Sequence, residues 1–166
     1  MDLQPLRNGT EELISRWLAE KENHQWLDFS GNRVLNPVAV KVMNSRDTHC
    51  LLIFAAEQSG SPIGLVAFSD IHPEFRTARL WYVLGDKRYA GNGYTSRAVF
   101  ELLKLGFSDL GLLSVNAWAV EANTRSISVL RRNGFREIGR QRRCHHIDGR
   151  IYDRIQFDLL ASEFGG

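Results

Sequence analysis

The spacing of hydrophobic and polar positions predicts helices in the first part of the chain. A helix is predicted over "EELISRWLAE", because Thr10 is a good N-cap residue and acidic side chains occupy the first turn. The apolar positions of this helix fall on one face: Leu13, Trp17 and Leu18. A second, short helix is predicted after Asn36, with Pro37 at its first helical position.

The middle of the chain contains the short apolar runs that are typical of β-strands. Three such runs, separated by turn residues, predict consecutive antiparallel strands: "HCLLIFAAE", "IGLVAFSDI" and "ARLWYVL". A helix is predicted to follow from Tyr94 to about Asp109. The run "LSVNAWAV" predicts the next strand.

The last part of the chain predicts one more helix and a hairpin. Asn123 is expected to cap a helix that continues to about Arg132, and Gly134 to end it. A turn of the type I′ kind at Asp148-Gly149 joins two further strands. The order of elements is typical of a mixed α/β (α+β) fold around one central sheet, in a single domain over residues 1–166.

The composition agrees with an ordinary globular protein. The chain has 166 residues, of which 43% are hydrophobic and 24% charged. No apolar run approaches the roughly 20 residues that span a membrane, and the N-terminus lacks the pattern of a secretory signal. Two cysteines, Cys50 and Cys144, form neither a disulfide framework nor a metal-site spacing. We therefore expect a cytoplasmic protein with reduced thiols and no membrane partner.

The charge disfavours a dedicated nucleic-acid-binding protein, because the formal net charge is only +2. The charge is nevertheless uneven, since residues 131–146 contain six arginines and two histidines. Two explanations stay open for this segment. It is either a solvated strand face or a surface that attracts an anionic cofactor or substrate.

A glycine-rich loop directly precedes the helix that begins near Tyr94. Gly91 and Gly93 are either part of a tight turn or a backbone cradle for a phosphate, to which Arg88 could add a charged contact. The loop lacks the spacing of a nucleoside triphosphatase loop. It also lacks the parallel strand–helix–strand context of a dinucleotide-binding fold.

Three segments in this order resemble the GNAT superfamily of acetyl-CoA-dependent N-acetyltransferases. They are "RLWYVLGDKRYAGNGYTSRAV", "NTRSISVLRRNGF" and the terminal "GRQRRCHHIDGRIYDRIQFDLL". Within the superfamily they look most like the Rim-type branch, named for enzymes that acetylate the N-termini of ribosomal proteins. The resemblance implies a mostly antiparallel central sheet flanked by about four helices, in which strands 78–84 and 114–120 splay apart. It covers the chain well from about Ile63 to Leu160.

The resemblance also implies where acetyl-CoA binds. The main chain of Tyr82, Val83 and Leu84 would pair with the pantetheine arm, and Asn123, with Ser126 nearby, would bind the same arm. Arg88 would lie near the pyrophosphate, which the loop and the start of the helix would hold. The residues implied there are Tyr89, Ala90, Gly91, Asn92, Gly93, Tyr94 and Thr95. No metal is expected.

The expected reaction is direct attack of a neutral amine on the thioester. Many relatives place a tyrosine in the last helix as the acid that protonates the thiolate, but this chain has Leu130 there. Rim-type relatives are proposed to use a serine three residues after the asparagine. Ser126 matches that position and is therefore the candidate acid, unless it is only a structural serine of the first turn.

The general base is less defined by the resemblance. Where many relatives carry a glutamate on the strand before the loop, this chain has Arg79. Some Rim-type relatives carry a glutamate on the first strand of the hairpin, where this chain has His145. His145 is therefore the candidate base, either directly or through water. A surface role for His145 stays open, as do Glu74 or Asp70 as the base. A site with no side-chain base, where desolvation lowers the pKa of the amine, is a further alternative.

The acceptor is expected to be a peptide N-terminus or a small amine, such as an amino sugar. The first helices and the terminal hairpin shape the acceptor side in this superfamily, and aromatic residues beside an acid could receive a cation. The candidates are Trp17, His24, Trp26, Asp28 and Phe29, which could equally be core and capping residues. The hairpin also offers edges through which relatives often pair, so a homodimer is an open expectation.

Two other classes of function stay open. The missing tyrosine and the undefined base favour a non-catalytic sensor that binds acyl-CoA. The arginine-rich hairpin would suit a nucleic-acid-binding module, which the modest net charge disfavours.

Overall fold

The computed structural model describes residues 1–29 and 35–165. The helices among them are α1 (Thr10–Ala19), α2 (Lys21–His24), α3 (Pro37–Asn44), α4 (Tyr94–Ser108) and α5 (Thr124–Arg132). The strands are β1 (Leu3–Pro5), β2 (Cys50–Ala55), β3 (Pro62–His72), β4 (Thr77–Leu84), β5 (Ser114–Val120), β6 (Arg136–Ile147) and β7 (Arg150–Leu160). The mixed α/β class is confirmed, with one helix more than the resemblance implies.

The strands form one sheet in the order β1-β2-β3-β4-β5-β7-β6. Every neighbouring pair is antiparallel except β4 and β5, which are parallel. These two strands pair only over residues 77–79 and 114–116. Beyond that point β4 stays paired with β3 as far as Leu84, and β5 stays paired with β7 from Ser114 to Val120. The predicted splaying of the two central strands is therefore confirmed.

The sheet has a hydrophobic core on each face. One core joins the sheet to α4 and α5, and its members include Leu80, Ala98, Leu102, Leu130 and Phe157. The other joins the sheet to α1 and α3, and its members include Ile14, Leu18, Val40, Leu65 and Val83. Alternate residues of β4 thus pack on opposite faces, as the period of a strand requires.

Local capping explains where several elements begin and turn. The side chain of Asn36 caps α3 by accepting a hydrogen bond from the Ala39 amide at 2.8 Å, and Pro37 is the first helical residue, as predicted. The hairpin turns at Asp148 and Gly149, whose φ angles are 50° and 75°. A type I′ turn requires positive φ at both central residues, so the predicted turn chemistry is confirmed.

The N-terminal part of the chain differs from the prediction in three details. Gly9, with φ 89°, is the N-cap of α1, while Thr10 is its first residue and bonds back to the main chain of Arg7. The short elements α2 and β1 were not predicted, because a segment of three or four residues is too short to show a periodic hydrophobic pattern. Their partners lie elsewhere in the chain, as in the pairing of Leu3 with Phe54.

Residues 30–34, part of the segment expected to shape the acceptor side, lie outside the described residues. Across the described parts of the chain, no helix is both long enough and apolar enough to cross a membrane. Cys50 and Cys144 are free thiols.

Gly85, directly after β4, lies against the indole ring of Trp17, and a Cβ at this position would come within 2.1 Å of the ring. We expect Gly85→Ala to lower the free energy of unfolding by about 1–3 kcal/mol, because the ring and the main chain would have to move apart. Denaturant titration would measure the change. Gly139→Ala is the matched control, since a Cβ there meets nothing within 4 Å. Equal stability of the two variants would contradict the packing described for Gly85.

Candidate functional site

The divergence of β4 and β5 opens a cleft of about 900 Å³ in the middle of the sheet. Its walls come from both strands, the glycine loop, the first turns of α4 and α5, and the segment that follows α2. Of the residues that the resemblance implies for acetyl-CoA binding and of the candidate acid and base Ser126 and His145, all line this cleft except Arg88, Asn92 and His145.

The glycine loop presents bare main chain to the cleft. Gly91 and Gly93 have φ angles of 81° and 75°, and a Cβ on either would meet nothing within 4 Å. Gly93 is the N-cap of the 15-residue helix α4, and no side chain caps that end. The first amides of α4 therefore keep their hydrogen-bonding capacity, at a helix end that carries roughly half a positive charge. This arrangement fits a pyrophosphate group.

Two residues predicted for the loop, Arg88 and Asn92, do not line the cleft. The Arg88 guanidinium is bonded to the carboxylate of Asp86, with Nη2 to Oδ2 at 2.6 Å and Nε to Oδ1 at 3.0 Å. These bonds hold the pKa of Asp86 below its usual range. The side chain of Arg88 is 85% exposed, and the exposed Asn92 donates a bond to Ala90 O at 3.4 Å.

Three other cations line the cleft: Lys87 and Arg125, which the sequence reasoning missed, and Arg132, from the arginine-rich segment. Lys87 Nζ donates to Leu84 O at 2.7 Å and to the side chain of Asn23. Burial lowers the pKa of Lys87. The sequence offers Lys87 no signal beyond its place beside the loop, because its partner Asn23 is distant in the chain.

The edge of β4 that faces the cleft has no strand partner beyond Arg79 among the described residues, although its other edge pairs with β3. Tyr82, Val83 and Leu84 lie on this stretch and line the cleft. Free main-chain groups on a strand edge can pair with an extended amide-containing ligand. The stretch therefore fits the pantetheine arm.

The opposite wall carries Asn123 and Ser126. Asn123 Oδ1 accepts a bond from the Ser126 amide at 3.3 Å, so the predicted N-cap of α5 is confirmed. The hydroxyl of Ser126 lies 2.7 Å from the Tyr82 hydroxyl, across the cleft. Leu130, at the position where many relatives carry tyrosine, is 1% exposed and belongs to the core.

His145 is buried behind the cleft, with 6% exposure, and both ring nitrogens are engaged. Arg154 donates to Nδ1 from Nε at 3.1 Å and from Nη2 at 2.9 Å. Because a guanidinium cannot accept a hydrogen bond, Nε2 carries the ring proton and donates it to Gln25 O at 2.6 Å. Burial first, and then the charge of Arg154, lowers the pKa of His145. This geometry makes His145 a neutral link between the hairpin and the segment after α2.

The other candidate bases also lie away from the cleft lining. Asp70 forms an ion pair with Arg79 at 3.4 Å, and Glu74 is exposed in the turn between β3 and β4. Arg79 itself lines the cleft. Across residues 1–29 and 35–165, no group of three potential metal-ligating side chains comes together.

The side of the cleft near the segment after α2 is aromatic and charged, and we call it the acceptor half. The residues of this segment that line it are Gln25, Trp26, Leu27, Asp28 and Phe29. Arg154 and Trp118 were missed by the sequence reasoning. The Arg154 guanidinium stacks 3.9 Å above the Trp118 ring and pairs with Asp28 Oδ2 at 3.1 Å.

Two of the residues suggested for the acceptor lie outside the cleft lining. Trp17 is buried in the core beside α3, and His24 ends α2. A signal for Trp118 was present, since it interrupts the small residues of "NAWAV" with a large ring.

Three of the six arginines of residues 131–146 form ion pairs with nearby acids. The pairs are Arg131–Glu137, Arg136–Glu163, and Arg140 with both Glu121 and Asp153. Of the six, only Arg132 is among the residues of the described chain that line the cleft. The explanation as a solvated strand face therefore suits the paired arginines, and Arg132 is the member placed to attract an anion.

Comparison with known proteins identifies the family and the fold. A model of the family described as "Acetyltransferase (GNAT) domain" matches residues 2–136. An uncharacterized N-acetyltransferase, p20 of Bacillus licheniformis, is 33% identical over 66% of this chain and 61% of its own length. The putative ribosomal N-acetyltransferase YdaF of Bacillus subtilis is 29% identical over 94% of this chain and 82% of its own.

A solved structure shares the fold. The spermidine N-acetyltransferase of Vibrio cholerae, crystallised with CoA and spermine, superposes with a TM-score of 0.86. It is 17% identical in sequence, and the match covers 98% of this chain and 96% of that one. The chain spans about three fifths of the length of the first curated relative.

The buried link at His145 generates a prediction about pH. Because the folded chain has a lowered pKa at His145, the unfolded chain binds the proton more readily, so acidification through about pH 6.5 lowers the free energy of unfolding. His145→Gln removes this contribution. We therefore expect the stability difference between wild type and variant to shrink as the pH is lowered from about 8 to about 5.

Denaturant titrations at each pH would measure the difference, with the exposed His146→Gln as control. A difference that stays constant or grows on acidification would show that His145 is not held neutral.

Proposed function

Because the chain belongs to the family of GNAT acetyltransferase domains, we propose that it transfers the acetyl group of acetyl-CoA to a primary amine in a ternary complex. One observation carries this proposal. The free edge of β4, the uncapped end of α4 and the charged acceptor half all open into the same cleft. Donor and acceptor could therefore be held side by side, which by itself lowers the barrier of a two-substrate reaction.

We propose that the main chain of Tyr82, Val83 and Leu84 and the side chain of Asn123 bind the pantetheine arm. The pyrophosphate would be held by the amides of the glycine loop and by Tyr94 and Thr95. Lys87, Arg125 and Arg132 would supply the positive charge in place of Arg88, which is paired with Asp86. When bound, acetyl-CoA supplies the thioester carbonyl that the amine attacks. A main-chain amide near Val83 or Leu84 is the proposed donor to the developing oxyanion.

Ser126 is the proposed acid. Its hydroxyl lines the cleft at the first turn of α5, and the cap from Asn123 fixes its main chain. Starting from the neutral amine, the nitrogen loses one proton as the amide forms and the leaving sulfur gains one. We propose that the proton gained by sulfur comes from Ser126 Oγ, which regains a proton from solvent.

No side-chain base is required by this proposal. Both nitrogens of His145 are already bonded, which argues against the base role predicted for it. Two further cations that line the cleft are Arg79 and Arg154. Positive charge and exclusion of water both lower the pKa of a bound amine, so the amine could release its proton to water.

The same cations bear on the choice of acceptor. A polyamine would bring several positive charges toward Arg79 and Arg154, whereas the acids that line the cleft, among the described residues, are Glu22 and Asp28. Asp28 is moreover paired with Arg154. We therefore favour an acceptor that carries carbonyl or anionic groups near its amine, as a peptide N-terminus or an acidic amino sugar does. The likeness to a putative ribosomal N-acetyltransferase agrees with a peptide.

A second candidate is a non-catalytic acyl-CoA sensor. It is favoured by Leu130 in place of tyrosine and by the engaged nitrogens of His145. Release of free CoA thiol from acetyl-CoA separates the two functions. We expect release with short peptides that have free N-termini, and less or none with spermidine. Binding of acetyl-CoA without release over peptides, amino sugars and polyamines would favour the sensor.

Ser126→Ala is expected to lower kcat by about 100-fold, because the variant has no hydroxyl to protonate the leaving group. The dissociation constant of acetyl-CoA, measured by calorimetry, should change by less than about two-fold, since the main-chain contacts remain. Ser108→Ala, at the exposed end of α4, is the control for a serine on a helix. A Ser126→Ala variant that turns over at the wild-type rate would remove Ser126 from the mechanism.

A further inference from the structure

Two hydroxyl groups meet across the cleft from opposite walls. Tyr82 comes from β4 and Ser126 from the first turn of α5, 44 positions later in the chain. The Tyr82 hydroxyl oxygen lies 2.7 Å from Ser126 Oγ and 3.1 Å from the carbonyl oxygen of Ser126. Both side chains line the cleft at the point where the strands have separated.

Either hydroxyl could donate in this contact, and we infer the direction from which oxygen of Ser126 lies nearer to Tyr82. The Tyr82 hydroxyl has one hydrogen, and two oxygens of Ser126 lie within reach of it. Ser126 Oγ, at 2.7 Å, is nearer than the carbonyl oxygen, at 3.1 Å. If Tyr82 donates to Oγ, the hydrogen of Ser126 is free to point toward another group in the cleft. If Ser126 Oγ donates to Tyr82 instead, the hydrogen of Ser126 points at Tyr82 and not into the cleft.

The surroundings hold this arrangement. The main chain of Ser126 is tied to Asn123 through the helix cap, which leaves rotation of the side chain as the main freedom of Oγ. Burial raises the pKa of Tyr82, so this hydroxyl keeps its proton at neutral pH and has a hydrogen to donate.

We propose that Tyr82 is a positioning residue that aims the Ser126 hydroxyl at the leaving group. This inference rests on the proposed function, in which Ser126 is the acid. A tyrosine on β4 thus supports the serine on α5, while Leu130 fills the place of the helical tyrosine of many relatives. Tyr82 keeps its own proton throughout. The proton given up by Ser126 Oγ goes to sulfur as the carbon–sulfur bond breaks and the carbon–nitrogen bond forms.

The test is a double-mutant cycle of Tyr82→Phe and Ser126→Ala with the best peptide acceptor. Tyr82→Phe removes only the hydroxyl, and we expect kcat to fall about ten-fold while the dissociation constant of acetyl-CoA changes by less than about two-fold. In the Ser126→Ala background, Tyr82→Phe should have no further effect on kcat. Tyr152→Phe, on the hairpin and outside the cleft lining, is the control.

A second readout does not depend on turnover. Denaturant titration of the four proteins should give a non-additive cycle, because the Tyr82 hydroxyl loses part of its hydrogen bonding once Ser126 Oγ is absent. Removing one such bond changes the unfolding equilibrium by about five-fold.

The possible failures can be told apart. A wild-type protein that binds acetyl-CoA but acetylates no amine would overturn the proposed function and this inference with it. An active wild type with the same loss from Tyr82→Phe in both backgrounds would overturn the inference alone. An additive unfolding cycle would also overturn the inference, as would a Tyr82→Phe variant that loses only affinity for acetyl-CoA.

Discussion

The interrupted pairing of β4 and β5 is the constraint on which the rest of the site depends. These strands share three residue pairs and then separate, yet each remains bonded along its outer edge to β3 or β7. Those outer ladders hold the two strands apart, because closing the gap would require breaking them. The result is a permanent opening in the middle of a sheet, with main-chain groups of β4 left for a ligand instead of a neighbouring strand.

Contacts from the terminal hairpin hold the open side of the cleft in shape. His145 is bonded to Gln25, and Arg154 pairs with Asp28 while stacking on Trp118. A further exposed pair joins Lys21 to Asp148 at 2.7 Å, although surface pairs of this kind contribute little on their own. The contacts of His145 and Arg154 therefore contribute most to the attachment of the hairpin to the segment after α2. They place that segment beside the splayed strands.

Much of the fold could be predicted from the sequence, because long strands and helices carry their own period and caps. The glycine loop, Asn123 and the hairpin turn are local signals of this kind. Contacts between distant positions carry no such signal, as the pairs Tyr82–Ser126 and Arg154–Asp28 show, with sequence separations of 44 and 126. The same limit explains His145, whose ring bonds to the distant Gln25. Arg88 is a different case, because its partner Asp86 is only two positions away and competes locally for the charge.

Amide hydrogen exchange with and without CoA tests the central claim most directly, because it reports on the main chain at the proposed contacts. The account predicts slower exchange on binding at residues 82–84 of β4 and at residues 93–95 at the start of α4, with no change along β6. Binding of CoA that slows exchange in the hairpin while leaving these two stretches unchanged would contradict it.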